Sequence, residues 1–193
     1  AKGMSKKTAH KYLNHRTAPT PKHNKVIKDL HHQAQAILTF EEYFKQLVPN
    51  TKIRYARKQF RKHHQLLMAV SKHYQVPPEI IVALWGIESD FGRDMGDYPI
   101  IHSLAILAFQ HHRSKFYRKQ LIDALIMLNR KHVIPEQLKS AFDGGMGQPQ
   151  FEPSNYLYYA VDFDNDGFKN IWTSLPDSFA SIANFIHSNG WNP

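Results

Sequence analysis

The chain of 193 residues contains no cysteine. Disulfide bridges and thiolate metal sites are therefore excluded, and the fold must be held by packing and hydrogen bonds. Long apolar runs are also missing: none approaches the roughly 20 residues that a membrane-spanning helix requires. No secretory signal is visible, and the opening "AKGMSKK" is expected to be a processed or engineered start. Carboxylates are in short supply, with 16 Asp and Glu against 25 Lys and Arg, a formal charge of +9. That balance favours polyanionic partners: nucleic acid, an anionic membrane surface or an acidic wall polymer. Internal repeats and low-complexity tracts are absent. No redox or nucleotide cofactor is expected.

What is present is a globular composition. Hydrophobic residues make up 42% of the chain and aromatics 12%, enough for one domain with a sizeable core. Residues 1–35 are dense in Lys, Arg and His and poor in large apolar groups, so they are expected to form a mobile basic arm. Residues 36–193 are expected to form the domain. Order begins at "TFEEYFKQLVP", where Thr39 and Glu42 have capping-box spacing and Phe40, Tyr43, Phe44 and Leu47 share a helical face. A second helix is expected over 53–74. Further helices are expected over 101–110, 114–131, 135–141 and 176–189, the last closed by Gly190. Little reads as strand, so the expected class is mainly α. Histidine pairs occur at 31–32, 63–64 and 111–112; neighbours on a helix diverge by about 100° and chelate poorly.

Chemistry is concentrated in three stretches. In "PPEIIVALWGIESDFGR", Pro77–Arg93, one carboxylate closes an almost wholly apolar helix that Pro78 opens. Leu84 and Trp85 lie four and three residues before Glu88 and are expected to share its face, removing water from the carboxyl and raising its pKa. A protonated carboxyl of this kind serves as a general acid in glycosidases. The alternative is a helix-end Glu that is solvated or paired with Arg93. In "AFDGGMGQPQFEPSNYLYYAVDFDNDG", Ala141–Gly167, Gly144, Gly145 and Gly147 let backbone approach a ligand. Gln150 can donate to and accept from sugar hydroxyls, and Phe151, Tyr156, Tyr158 and Tyr159 offer ring faces. The alternative is a tight turn with core aromatics. In "DFDNDGFKNIWT", Asp162, Asp164 and Asp166 take positions 1, 3 and 5 of a calcium loop, with Gly167 at 6 and the Phe168 carbonyl at 7. Thr173 replaces the usual Glu at position 12, and Asp177 is placed to close the shell from a longer loop or to cap the next helix.

"ALWGIESDFGR", "GGMGQPQFEPSNY…YAVDFDNDG" and "SIANFIHSNGW" together resemble the lytic murein transglycosylase B family, glycoside hydrolase family 103, over roughly Thr39–Trp191. The resemblance implies a lysozyme-like helical fold that cleaves the MurNAc–GlcNAc β-1,4 bond of peptidoglycan and leaves 1,6-anhydromuramoyl ends. It implies Glu88 as the single catalytic acid/base and substrate contacts at Gln150, Gly145, Met146, Tyr156 and Phe185. It also implies a structural Ca²⁺ held by Asp162, Asp164, Asp166, Phe168 and Asp177. Peptidoglycan glycan strands are the implied partner of a monomer in the periplasm or cell envelope, with wall or membrane association through the basic arm. Nucleic acid is not expected. The chain departs from the family at Ala141, where "SFAGAMG" has Ser, at Glu152 in "QFEP", where Met is usual, and at Phe185, where Tyr is common. It also ends soon after "GW", so the expectation is either a fragment or a chain without the groove wall that the family builds from that region. Two rivals remain. One is a hydrolytic muramidase using Asp90, Asp143 or Glu152 as second carboxylate; the other is a non-catalytic wall-binding module.

Overall fold

A computed structural model describes residues 38–110, 113–130, 133 and 138–192. The basic arm and two of the three histidine pairs lie outside these residues. Among the described residues there are eight helices and one two-stranded sheet. In order they are α1 (Phe40–Leu47), α2 (Asn50–Lys62), α3 (His64–Tyr74), α4 (Pro78–Ser89), β1 (Tyr98–Pro99), α5 (Ile100–Gln110), α6 (Ser114–Arg130), β2 (Lys139–Ser140), α7 (Pro153–Tyr159) and α8 (Leu175–Ser188). None of the helices is long and apolar enough to cross a membrane.

The Thr39–Glu42 capping box forms as expected. The apolar face of α1 has no buried residue, and Phe40 is 80% exposed. The helix expected over 53–74 is two helices. His63 closes α2 and turns its ring onto Trp85 and Phe179, while Leu67 and Val70 of α3 are fully buried. Tertiary packing at the break outweighs a sequence that is helical on both sides. The helix expected over 135–141 is also corrected. Residues 134–137 lie outside the described set, and Lys139 and Ser140 pair antiparallel with Pro99 and Tyr98.

Two apolar clusters carry the packing. One joins α3, α4 and α8 through Leu67, Ile81, Trp85 and Phe179. The other joins the α5–α6 hairpin to α7 and the 146–151 segment through Leu104, Leu125, Met146 and Tyr156. Gly86 sits where the first cluster is tightest. A Cβ there would lie 2.6 Å from the Phe91 ring, so glycine lets the chain after α4 fold back against it. Between the clusters, the 144–151 loop meets the C-terminal half of α4 and one face of α8. That junction positions the site.

Candidate active site

Pro78 at the first helical position starts α4, and its fixed φ suits a position whose N–H has no helical partner. The helix ends abruptly because Asp90 and Phe91 are both left-handed, with φ of 49° and 62°. Two backbone bonds hold this reversal, Phe91 N–H to Trp85 O at 3.2 Å and Asp94 N–H to Ser89 O at 2.9 Å. Glu88 is therefore held in the last turn, one residue before the stop.

Glu88 opens onto a cleft of about 200 Å³. One wall is Leu84 with Pro149, Gln150, Phe151 and Asn155; the other is Ile182, Phe185 and Ile186 of α8. The carboxyl is accessible from the cleft, yet these walls take away enough water to disfavour its charge. Burial therefore raises its pKa, and the nearby Asp143 carboxylate pushes it the same way. Among the described residues Glu88 forms no ion pair. Arg93 instead pairs with Asp90 at 2.8 Å and lies over the Tyr55 ring. The expected indole neighbour is a correction: Trp85 is only 3% exposed and packs inward on Phe91 and Phe179. The apolar surroundings of Glu88 come from Leu84 and α8.

Trp85 acts on the site in another way. Its Nε1 donates to Gln148 Oε1 at 2.7 Å, and Gln148 Nε2 donates to Trp172 O at 3.2 Å. The Gln148 N–H donates to Ile171 O at 2.8 Å. One buried amide thus ties α4 to the loop that bears Gln150. Gly147 lets the loop pass: its φ is 64°, and a Cβ would lie 2.6 Å from Ile171 O.

Gln150 has φ of 50°, and its Nε2 donates to Gly147 O at 2.8 Å, which leaves Oε1 without a donor among the described residues. Gly145 backs directly onto that oxygen. Phe185 lines the cleft and packs its ring 5.6 Å from Phe151. Two expected contacts are corrected. Met146 is fully buried; only its backbone acts, pairing with Phe151 N–H and O to aim that ring at the cleft. Tyr156 is 1% exposed and its hydroxyl donates to Lys169 O at 2.8 Å, so it is a core residue. Burial also raises its phenol pKa.

The cleft walls also contain residues that the sequence argument passed over. Ile182 and Ile186 recur at helical spacing beside the expected Phe185 on α8, a signal that was available. Asn155 carried none beyond its place in "EPSNY". Among the alternative carboxylates, Asp90 is neutralised by Arg93 and Glu152 accepts from Gln120 Nε2 at 3.3 Å. Neither, nor Asp143, lines the cleft.

In the acidic loop, carboxylate oxygens of Asp162, Asp164 and Asp177 all lie within 4.8 Å of one another. This suits a cation with oxygen ligands at 2.3–2.6 Å. Asp177 forms the buried floor, where its oxygens accept from Phe163 N–H and Asn170 N–H at 2.8 and 2.7 Å. Burial raises its pKa, as expected of a carboxylate without a counter-charge. Asp166 is a correction to the expected set: it is outside the group, and its Oδ1 accepts from Phe168 N–H at 2.8 Å. Thr173 takes no part, being hydrogen-bonded to Asn170.

The whole chain, residues 1–193, matches the family described as the transglycosylase SLT domain. It is 42% identical over 119 residues to the membrane-bound lytic murein transglycosylase B of Escherichia coli, covering 61% of this chain and 33% of that protein. Its structure is similar to SltB3 from Pseudomonas aeruginosa in complex with NAG-NAM-pentapeptide, with a TM-score of 0.88 and 32% identity, over 98% of this chain and 50% of that one. SltB3 is also known in complex with NAG-anhNAM-pentapeptide, matched at a TM-score of 0.87 and 32% identity, over 98% of this chain and 49% of that one. The Escherichia coli lytic transglycosylase Slt35 in complex with calcium matches at a TM-score of 0.81 and 30% identity, over 99% of this chain and 60% of that one. The chain thus spans between a third and three fifths of the length of these relatives. A single protonatable carboxyl in an apolar cleft, joined to a glutamine loop by a buried amide, accords with that match, and the chain belongs to the transglycosylase SLT domain family.

Proposed function

We propose that this chain is a peptidoglycan lytic transglycosylase that cleaves the MurNAc–GlcNAc β-1,4 bond and closes a 1,6-anhydro ring on the muramoyl product. The observation that carries the reading is Glu88, alone among carboxylates in the cleft and held toward its protonated form. Neutral Glu88 donates its proton to the glycosidic oxygen as that bond breaks through an oxocarbenium-like state. The muramoyl N-acetyl group assists from the substrate side, where a retaining hydrolase would use a second carboxylate. Ionised Glu88 then takes the proton of the C6 hydroxyl as that oxygen bonds to C1. The proton count returns to its start and no water is consumed. Apolar walls from Leu84, Phe151 and α8 favour this outcome by keeping water from C1, and Gln150 Oε1 offers an acceptor to a sugar hydroxyl or acetamide N–H.

Asp162, Asp164 and Asp177 would hold a Ca²⁺ that ties the 162–170 loop to the start of α8 and so to one wall of the cleft. The ion would supply structure rather than chemistry. The solved complexes of SltB3 and Slt35 support both parts of the reading. The cationic excess of residues 1–35 would hold the enzyme near an anionic wall or membrane in the cell envelope. Incubation with purified peptidoglycan followed by mass spectrometry tests the reaction. Anhydro ends support it, and hydrated reducing ends sink it.

A further inference from the structure

Residues 153–161 contain no charged side chain, although the protein carries a formal charge of +9. Of the three tyrosines in this interval only Tyr156 is buried; Tyr159 is half-buried and Tyr158 is 75% exposed. The hydroxyls of Tyr158 and Tyr159 have no hydrogen-bond partner among the described residues. A single exposed tyrosine would call for no explanation. This one ends a file of rings.

The file begins inside the cleft. Phe151 and Phe185 both line it, with ring centroids 5.6 Å apart. Phe185 packs edge-to-face against Tyr159 at 5.1 Å, and the Tyr159 ring lies 6.2 Å from that of Tyr158. Helical spacing leads the same way. Tyr158 and Tyr159 follow Asn155 by three and four residues on α7, so the face that Asn155 turns to the cleft continues onto both rings. The Asn155 amide also has no partner among the described residues. The far end of α7 is tied to α8: Asn184 Nδ2 donates to Tyr159 O at 2.9 Å, and Val161 N–H donates to Ser181 Oγ at 3.1 Å. A platform fixed in advance loses little freedom when a ligand settles on it.

We propose that Tyr158 and Tyr159 form an outer glycan subsite, on which a strand seated in the cleft lays a further sugar ring beyond Phe185. The proposal rests on the peptidoglycan reading for the identity of the strand. A pyranose has C–H groups on its faces and hydroxyls around its rim, which suits a tyrosine that offers both a ring face and a free hydroxyl. The absence of charge selects the same ligand, because an acidic partner would find no cation on this strip to pair with. Tyr158 lies outside the cleft lining and does not touch the reacting atoms. Its part is to lengthen the grip on the strand, so only strands long enough to reach it should feel its loss.

The test is equilibrium binding in a Glu88→Gln background, so that no turnover intervenes. Two peptide-free probes of the same repeat, a disaccharide and an octasaccharide, are titrated and followed by NMR. Tyr158→Ala should weaken the octasaccharide about three- to tenfold and spare the disaccharide. Exposure of the ring keeps the substitution from disturbing the core. Tyr158→Phe should retain most of the octasaccharide affinity, and Tyr158→Leu should lose it, since leucine has no ring face. With Glu88 in place, Tyr158→Ala should raise KM for long strands more than it lowers kcat, as expected of a grip that ground and transition states share. Equal losses on both probes, no loss on the octasaccharide, or full retention by Tyr158→Leu would overturn the subsite. Octasaccharide binding that depends on Tyr158, in a protein whose products carry added water, would sink the transglycosylase reading and leave the subsite standing.

Discussion

Replacing Gln148 by Met should destabilise the domain more than its single change of side chain suggests. The substitution nearly conserves volume and shape, so no sizeable cavity enters the account. What it removes is the acceptor for Trp85 Nε1, at 2.7 Å, and the donor to Trp172 O, at 3.2 Å. Both groups sit among residues less than 10% exposed. Each orphaned buried group costs about 1–3 kcal/mol, so the loss should be about 2–6 kcal/mol, a large share of a typical 5–15 kcal/mol stability. Urea denaturation measures it, with an unchanged slope showing that the midpoint shift is a stability change. Trp85→Phe removes the matching donor. In the double variant the two losses should add to less than their sum, because the tryptophan N–H has already gone. Turnover should fall in both single variants at temperatures where they remain folded, since the link sets α4 against the Gln150 loop. A midpoint within experimental error of wild type, or strictly additive losses, would refute the reasoning.

Four further outcomes follow from the same geometry. Because the folded-state pKa of Glu88 is raised, its ionisation disfavours the fold as pH climbs through the window between the ordinary carboxylate value and that raised value. Glu88→Gln should therefore melt higher than wild type at neutral pH, with the gap closing below the ordinary carboxylate range; a gap independent of pH would contradict this. Asp143→Asn removes a charge that holds the proton on Glu88, so the alkaline limb of the kcat/KM profile should move to lower pH; an unmoved limb would deny the coupling. Added Ca²⁺ should raise Tm through native-state binding, and Asp164→Ala or Asp177→Ala should abolish the effect while Asp166→Ala leaves most of it, as thermal melts will show. Gly147→Ala should cost about 1–2 kcal/mol from its left-handed φ alone, and more from the 2.6 Å approach to Ile171 O, measured by the same urea titration.

The parts of the fold legible in the sequence were those with local causes. Thr39 with Glu42, Pro78 at a helix start and the apolar run of α4 each act over a few residues, and each is realised. Glu88 stood out because a lone carboxylate at the end of such a run is conspicuous, and the fold turns it toward the cleft. The break at His63 could not be read in this way, because its cause is the packing of one ring on Trp85 and Phe179, the latter from a helix more than a hundred residues later. The same distance hid Gln148, whose partners are Trp85 and Trp172. Tyr156 misled for a related reason: an aromatic near a glycine loop has the same local signature whether it faces a ligand or the core. The acidic spacing at 162, 164 and 166 pointed to a cation loop, but only the fold separates Asp166 from the three carboxylates that converge.

The central claim is that Glu88 alone serves as acid and then base, with a substrate hydroxyl in place of water. The most direct measurement is the mass of the muropeptides released from purified peptidoglycan by wild-type protein and by Glu88→Gln. The account predicts wild-type products one water lighter than hydrolysis would give, and almost none from the variant, since losing general acid–base help costs about 10²–10⁴-fold or more. Hydrated products, or release by Glu88→Gln within a few-fold of wild type, would contradict it.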